Sequence, residues 1–211
     1  MNKQYKQSEK GFAIALALIM MVVMSLMGAA LVYVASADHK GNIDKDVDQQ
    51  IFYAAEAGII EAKKYLVEQS DAGNLNLGSD PDSKLSFCRT GLFTDLQTGG
   101  IHAVNDYIEE KSLSSLISTT GAERTRLSKY SYEFFITRTP DASGDTTTLK
   151  TKTVATQTGT GISESISYKK GGSSQASYYT IFSCGCNEIP KRCSSTKNTI
   201  VALQAVVTVI K

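Results

Sequence analysis

The sequence predicts an α+β chain: one long N-terminal α-helix laid against an antiparallel β-sheet head. Three observations carry that expectation. No residue from Phe12 to Ala37 is charged, apolar residues then recur at spacings of three and four as far as Gln69, and β-branched and aromatic segments dominate after Tyr130.

The uncharged run comes first. Its 26 residues would make about 39 Å of helix, more than the ~30 Å of a bilayer's hydrocarbon core. Lys3, Lys6 and Lys10 precede it, so the positive-inside rule places the N-terminus in the cytoplasm and the rest of the chain outside. A secretory signal has an apolar region of about 7–15 residues, shorter than this one. Ala35-Ser36-Ala37 nonetheless offers a signal-peptidase site, so a cleaved signal and a plain membrane anchor stand as rival readings.

Beyond the run, residues 38–69 read as an amphipathic continuation. Ile43, Val47, Ile51, Ala54 or Ala55, Gly58, Ala62 and Leu66 define one face, with Asp44, Asp46, Asp48, Gln49, Glu56, Glu61, Lys63 and Lys64 opposite. The first proline is Pro81, and Gly41 costs about 1 kcal/mol against alanine without forbidding helix. One helix from about Phe12 to Gln69 is expected.

These residues resemble a family. A short polar and basic leader, a Gly11-Phe12 junction, an uninterrupted apolar helix and an amphipathic continuation look like a type IV prepilin. Ala54-Ala55-Glu56-Ala57-Gly58 is similar to the signature of PilX-type minor pilins. The resemblance covers about residues 8–68. It implies that residues 1–11 are a leader removed by a prepilin peptidase after Gly11, whose missing side chain leaves the scissile bond open. It also implies that Phe12 is then methylated, and that segment 12–37 serves first in the inner membrane and later in a filament core among other major and minor pilins.

One departure carries information within that resemblance. The fifth mature position, usually glutamate in major pilins, is Leu16. Without that carboxylate, the new amine has no partner in an apolar core. A minor subunit at or near the tip, helping to initiate assembly, fits this better than a self-repeating one. The implied location is the inner membrane before assembly and the pilus or cell surface afterwards. A type II secretion pseudopilin of the K type, which also lacks the glutamate, and a DNA-uptake or adhesive pilin are alternatives.

Residues 70–211 are expected to form the β-rich head. Asp71–Lys84, rich in Gly, Asn, Asp and Ser, reads as a loop, and Asn105–Leu116 as a short helix with Ile108 and Leu113 inward. SYEFFITRT, TTTLKTKTVATQT, SESISYK, ASYYTIFSC and TIVALQAVVTVIK read as strands. In the last, Val201, Leu203, Ala205, Val207 and Val209 form the face expected to meet the helix.

Four cysteines, Cys88, Cys184, Cys186 and Cys193, all follow the apolar run, and an even count outside the cytoplasm suggests two disulfides. Cys184 and Cys186, separated by Gly185, would form a strained bridge. Cys88–Cys184 with Cys186–Cys193 is the preferred pairing, and the swapped pairing stays open. Disulfide-closed loops near the C-terminus are also common in the resembled family. A four-cysteine zinc site would need a ligand spacing that C-x-C…C does not match.

No catalytic constellation or cofactor site is found, so no enzyme activity is expected. His39 and His102 are isolated, and Gly161–Ser165 lacks the final glycine of a nucleophile elbow. Asp141–Asp145 reads as a turn rather than a calcium loop, since the other EF-hand ligands are missing. The net charge is +1, and removing residues 1–11 leaves 19 basic against 20 acidic residues. Lys169-Lys170 and Lys191-Arg192 are where a phosphate would dock, but two pairs without a basic stripe read as solvated loop charges. Nucleic acid is therefore not the expected partner.

Overall fold

The computed structural model describes residues 8–96, 100–118, 120–154, 174–194 and 197–210. The chain divides into two compact units, Met1–Val47 and Asp48–Lys211. A single α-helix, α1, spans Ser8–Asp71. Among the described residues five strands follow: β1 (Ala103–Ser112), β2 (Ser131–Arg138), β3 (Thr151–Val154), β4 (Ser174–Cys186) and β5 (Ile200–Ile210), with a short helix α2 (Ala122–Leu127) before β2.

Within the first unit, α1 carries its uncharged segment with every residue from Phe12 to Ala37 exposed. Two serines interrupt it. Ser25 Oγ donates to the Met21 carbonyl and Ser36 Oγ to the Val32 carbonyl, both at 2.8 Å. Each serine thereby satisfies its donor inside the helix, as an apolar solvent would require. Ile43, expected on the buried face, is 51% exposed, and the fully buried stripe begins only at Ile51.

Within the second unit, an open antiparallel sheet runs β1-β2-β4-β3, with β5 on the far side of β4. The 13-residue β4 organises it. Its Tyr179–Cys186 half pairs with β2, its Ser174–Ser177 end pairs with β3, and its other edge takes all of β5 from Ala176↔Ile210 to Cys186↔Ile200. Seven of the eight β2 residues are buried, because both faces of the sheet are covered here. Tyr132, Phe134 and Ile136 join Ala54, Ala57, Ala62 and Leu66 of α1 in one core. Phe135 and Phe182 face the other way, beneath Leu85, Phe87, Phe93 and Leu96 of the long loop after α1. The Phe93 ring meets Phe182 edge-on at 4.7 Å.

Two expectations need correction. Residues 105–116 are not a short helix but most of β1 followed by a 3-10 turn, Leu113–Leu116. Asn105 and Asp106 adopt φ of 55° and 54°, and the register to β2 shifts between Ala103 and Ile108. This bulge breaks the period-two pattern that would mark a strand. Among the described residues, the threonine-rich stretch gives only the four residues of β3. Thr146 Oγ1 instead donates to the Gly100 carbonyl at 3.0 Å, and Thr147 N–H to Asp145 Oδ1 at 2.8 Å. On β5 the expected face is the covered one: Val209 is buried, Val201, Leu203, Ala205 and Val207 are half-buried, and Val207 and Val209 pack on the helix-side core. The strand SESISYK lies outside the described residues.

Candidate functional site

The sheet-facing surface of α1 is built for close approach. Ile51, Ala54, Ala55, Ala57, Gly58, Ala62 and Leu66 are buried, and Glu56 alone of the Ala54–Gly58 motif is exposed. A Cβ on Gly58 would run into Ser183 Oγ and come within 3.2 Å of Tyr132. Across the seam, a Cβ on Gly185 would run into the Ile51 carbonyl oxygen and stand 2.9 Å from Ala55 N. Ser183 Oγ donates to the Ala55 carbonyl at 2.8 Å. Helix backbone therefore touches strand backbone, and the motif's small residues are what allows it.

One turn further along, a polar brace ties α1 to the sheet. The Glu61 carboxylate accepts from Tyr132 Oη at 2.6 Å and from Lys111 Nζ. Burial raises the Tyr132 pKa, with the Glu61 hydrogen bond acting in the same direction. Burial opposes the Lys111 charge, yet the hydrogen bond and charge of Glu61 prevail and raise its pKa. Tyr65 stacks on Tyr107 with centroids 3.6 Å apart, and burial pushes the Tyr107 pKa up to about 12. Beyond it, Asp106 Oδ1 accepts from Ser79 N–H at 2.6 Å and lies 3.4 Å from Lys84 Nζ. The bonds from Ser79, then the Lys84 charge, hold the Asp106 pKa below its ordinary value.

On the opposite face, disulfides join Cys88 to Cys184 and Cys186 to Cys193. Beside them Glu133 is 1% exposed. Its carboxylate accepts from the backbone N–H groups of Ser86, Phe87 and Cys88 at 2.7, 2.8 and 2.7 Å. Burial raises its pKa, and the three donors pull the other way. No feature singled out in the sequence pointed to Glu133. The available signal was a lone charge inside SYEFFIT, a segment otherwise apolar or hydroxylic on both faces.

The remaining residues singled out from the sequence are dispersed. The Gly11–Phe12 bond lies within α1. Leu16 is 45% exposed among other exposed apolar residues. His39 is exposed, whereas His102 Nδ1 donates to the Gly78 carbonyl at 2.9 Å. Asp141 Oδ1 is spent on its own turn, accepting from Ser143 N–H at 2.8 Å and Asp145 N–H at 3.1 Å. Lys191 and Arg192 are exposed, and Lys169-Lys170 lies outside the described residues. A cleft of about 380 Å³ opens between Asp95, Asp141, Thr139, Thr180 and Gln204. Its polar groups already bond one another, Gln204 Nε2 to Asp95 Oδ2 at 2.7 Å and Thr180 Oγ1 to Thr139 Oγ1 at 3.1 Å. Among the described residues, no three His, Cys, Asp or Glu side chains converge as metal ligands would.

What the arrangement offers is thus an apolar helical segment suited to lipid or to other helices, and a rigid sheet held to the continuation of the same helix. Compared with family models, curated proteins and solved structures, the chain matches none of them.

Proposed function

We propose that this chain is a minor pilin of a type IV pilus or related filament, a structural subunit without enzyme activity that sits at or near the tip and helps initiate assembly. One observation carries the reading. A wholly exposed, uncharged 26-residue segment long and apolar enough to cross a membrane belongs to the same α-helix that bears the small-residue seam. A helix that only anchored a head would have no need to share one secondary-structure element with the sheet's packing face. A subunit that leaves the bilayer to pack beside other helices does.

The mechanism follows from solvent matching. Insertion leaves the basic leader inside the cell, and cleavage after Gly11 frees the Phe12 amine for methylation. Segment 12–37 then exchanges lipid contacts for helix contacts of similar apolarity, so little hydrophobic free energy is lost. Gly28, Ala29 and Ala30 supply a small-residue patch where backbones can approach. With Leu16 in place of a carboxylate, the freed amine gains no charge partner within its own first turns, which suits a terminal position.

Intact mass and N-terminal sequencing, with and without a co-expressed prepilin peptidase, test this reading. A chain beginning at methylated Phe12 only when the peptidase is present is the expected result, and Gly11→Val should leave uncleaved precursor in the membrane fraction. A start at Asp38 would mean the apolar segment is discarded as a signal, and retention of Met1 with active peptidase would leave a plain anchor.

A further inference from the structure

Cys184 and Cys186 lie two residues apart on β4, on the same face of the sheet, about 7 Å from one another along the strand. Cys88 arrives from a loop 96 residues away in sequence and must choose between them. Cys193, seven residues from Cys186, could in turn close on either sulfur. Sequence separation alone does not settle the choice.

We propose that Glu133 is a positioning residue that selects the disulfide pairing, gathering the 86–88 backbone over Cys184 before the sulfur–sulfur bond forms. In the β2–β4 register Glu133 stands directly opposite Cys184, while Ser131 stands opposite Cys186. A carboxylate that holds Cys88 N–H at 2.7 Å therefore places that residue over Cys184 and not over its neighbour. Three converging N–H donors match an ionised carboxylate, which only accepts. An amide in the same place would aim its own donors at them.

The second loop is held in the same way by the residue next door. Glu110 is the cross-strand partner of Glu133 on β1. It accepts from Ser86 Oγ at 2.9 Å and from the backbone N–H of Lys191, whose φ of 67° turns the chain inside the Cys186–Cys193 loop. Ser131 Oγ adds a bond to the Glu188 carbonyl at 2.7 Å. Glu133 thus holds the Cys88 loop alone, while Glu110 bridges that loop to the Cys186–Cys193 loop.

The chemistry is ordinary thiol–disulfide exchange. The Cys88 and Cys184 thiols lose two S–H bonds and gain one S–S bond. Two electrons pass to a disulfide oxidant such as glutathione disulfide, which leaves as two thiols and carries both protons. Glu133 takes no part in the electron transfer and acts on which two sulfurs meet.

The full chain in detergent micelles, reduced and denatured, then reoxidised in a glutathione buffer without isomerase, gives the test. After alkylation and proteolysis, disulfide mapping of wild type should show Cys88–Cys184 with Cys186–Cys193. For Glu133→Gln the ratio of swapped to native isomer should rise about tenfold. A wild-type ratio in Glu133→Gln would overturn the proposal. Amide exchange in a Cys88→Ser, Cys184→Ser double variant supplies a readout that does not require Glu133→Gln to fold. Persistent protection at residues 86–88 without the covalent link supports the carboxylate as organiser, and loss of that protection would show that the disulfide holds the loop and sink the idea.

Discussion

Two stretches of one helix behave oppositely. From Phe12 to Ala37, large apolar side chains such as Leu26, Met27 and Leu31 all stand exposed. From Ile51 to Leu66 the exposed positions include Glu56, Lys63 and Lys64, and the covered ones are mostly Ala and Gly. Size, rather than hydrophobicity alone, separates them. Bulky apolar surface on every side of a helix has no inside and outside, so it is compatible with a solvent that is itself apolar. A narrow line of small residues serves one partner at backbone distance. A charge placed in the first stretch, or a methyl group added to the second, should therefore fail in different assays.

The largest effect is expected from Leu26→Arg. A charge near the middle of the apolar segment should cost about 2.5–3.5 kcal/mol of membrane insertion, read as the inserted fraction in a membrane-integration assay. Among the chains that do insert, disulfide mapping of the sheet unit should be unchanged. Equal insertion of this variant would break the comparison, because it would mean the exposed apolar surface does not meet lipid.

A smaller effect, and one whose sign differs along the helix, comes from changing glycine to alanine before the seam and inside it. At Gly58 the new methyl runs into Ser183 Oγ, which must rotate and give up its bond to the Ala55 carbonyl. Overpacking of this kind should cost about 1–3 kcal/mol in thermal or denaturant unfolding of the sheet unit. At Gly41 nothing lies within 4 Å of the added methyl. There alanine should favour helix by about 1 kcal/mol, visible as increased helical protection in amide exchange. If both substitutions destabilise alike, close approach to the sheet is not what sets Gly58 apart from Gly41.

The sequence made the helix legible because nothing interrupts it: no charge occurs before Asp38 in the run and no proline before Pro81. The antiparallel strands β2, β4 and β5 were legible from their β-branched and aromatic content. What stayed hidden depends on tertiary contact. The motif Ala54–Gly58 could be recognised as a pattern, but its job, admitting the backbone around Gly185, appears only when helix and strand are together. Ile43 continues the spacing of the apolar face yet lies before the buried stripe, because periodicity does not say where a partner begins. β1 was misread because Asn105 and Asp106 insert a left-handed bulge whose stability comes from Asn76 and Ser79 in a distant loop. Glu133 was missed for the same reason, since its three donors are backbone groups that no residue type announces.

The smallest expected effect concerns that bulge, and pH isolates it. Ser79 hydrogen bonds, with the Lys84 charge adding to them, stabilise ionised Asp106 and depress its folded-state pKa. A depressed carboxyl pKa contributes stability that is complete above the unfolded value, about 3.9, and disappears as pH falls through the folded value. Asp106→Asn should therefore flatten part of the acid limb of the stability curve below about pH 4, while leaving insertion of the apolar segment untouched. The amide can still accept from Ser79 N–H, so at neutral pH the loss should be slight. An acid limb identical to wild type would mean that Asp106 is solvated alike in folded and unfolded chains, and that the bulge is held by Asn105 through its bonds to Asn74, Asn76 and Tyr65.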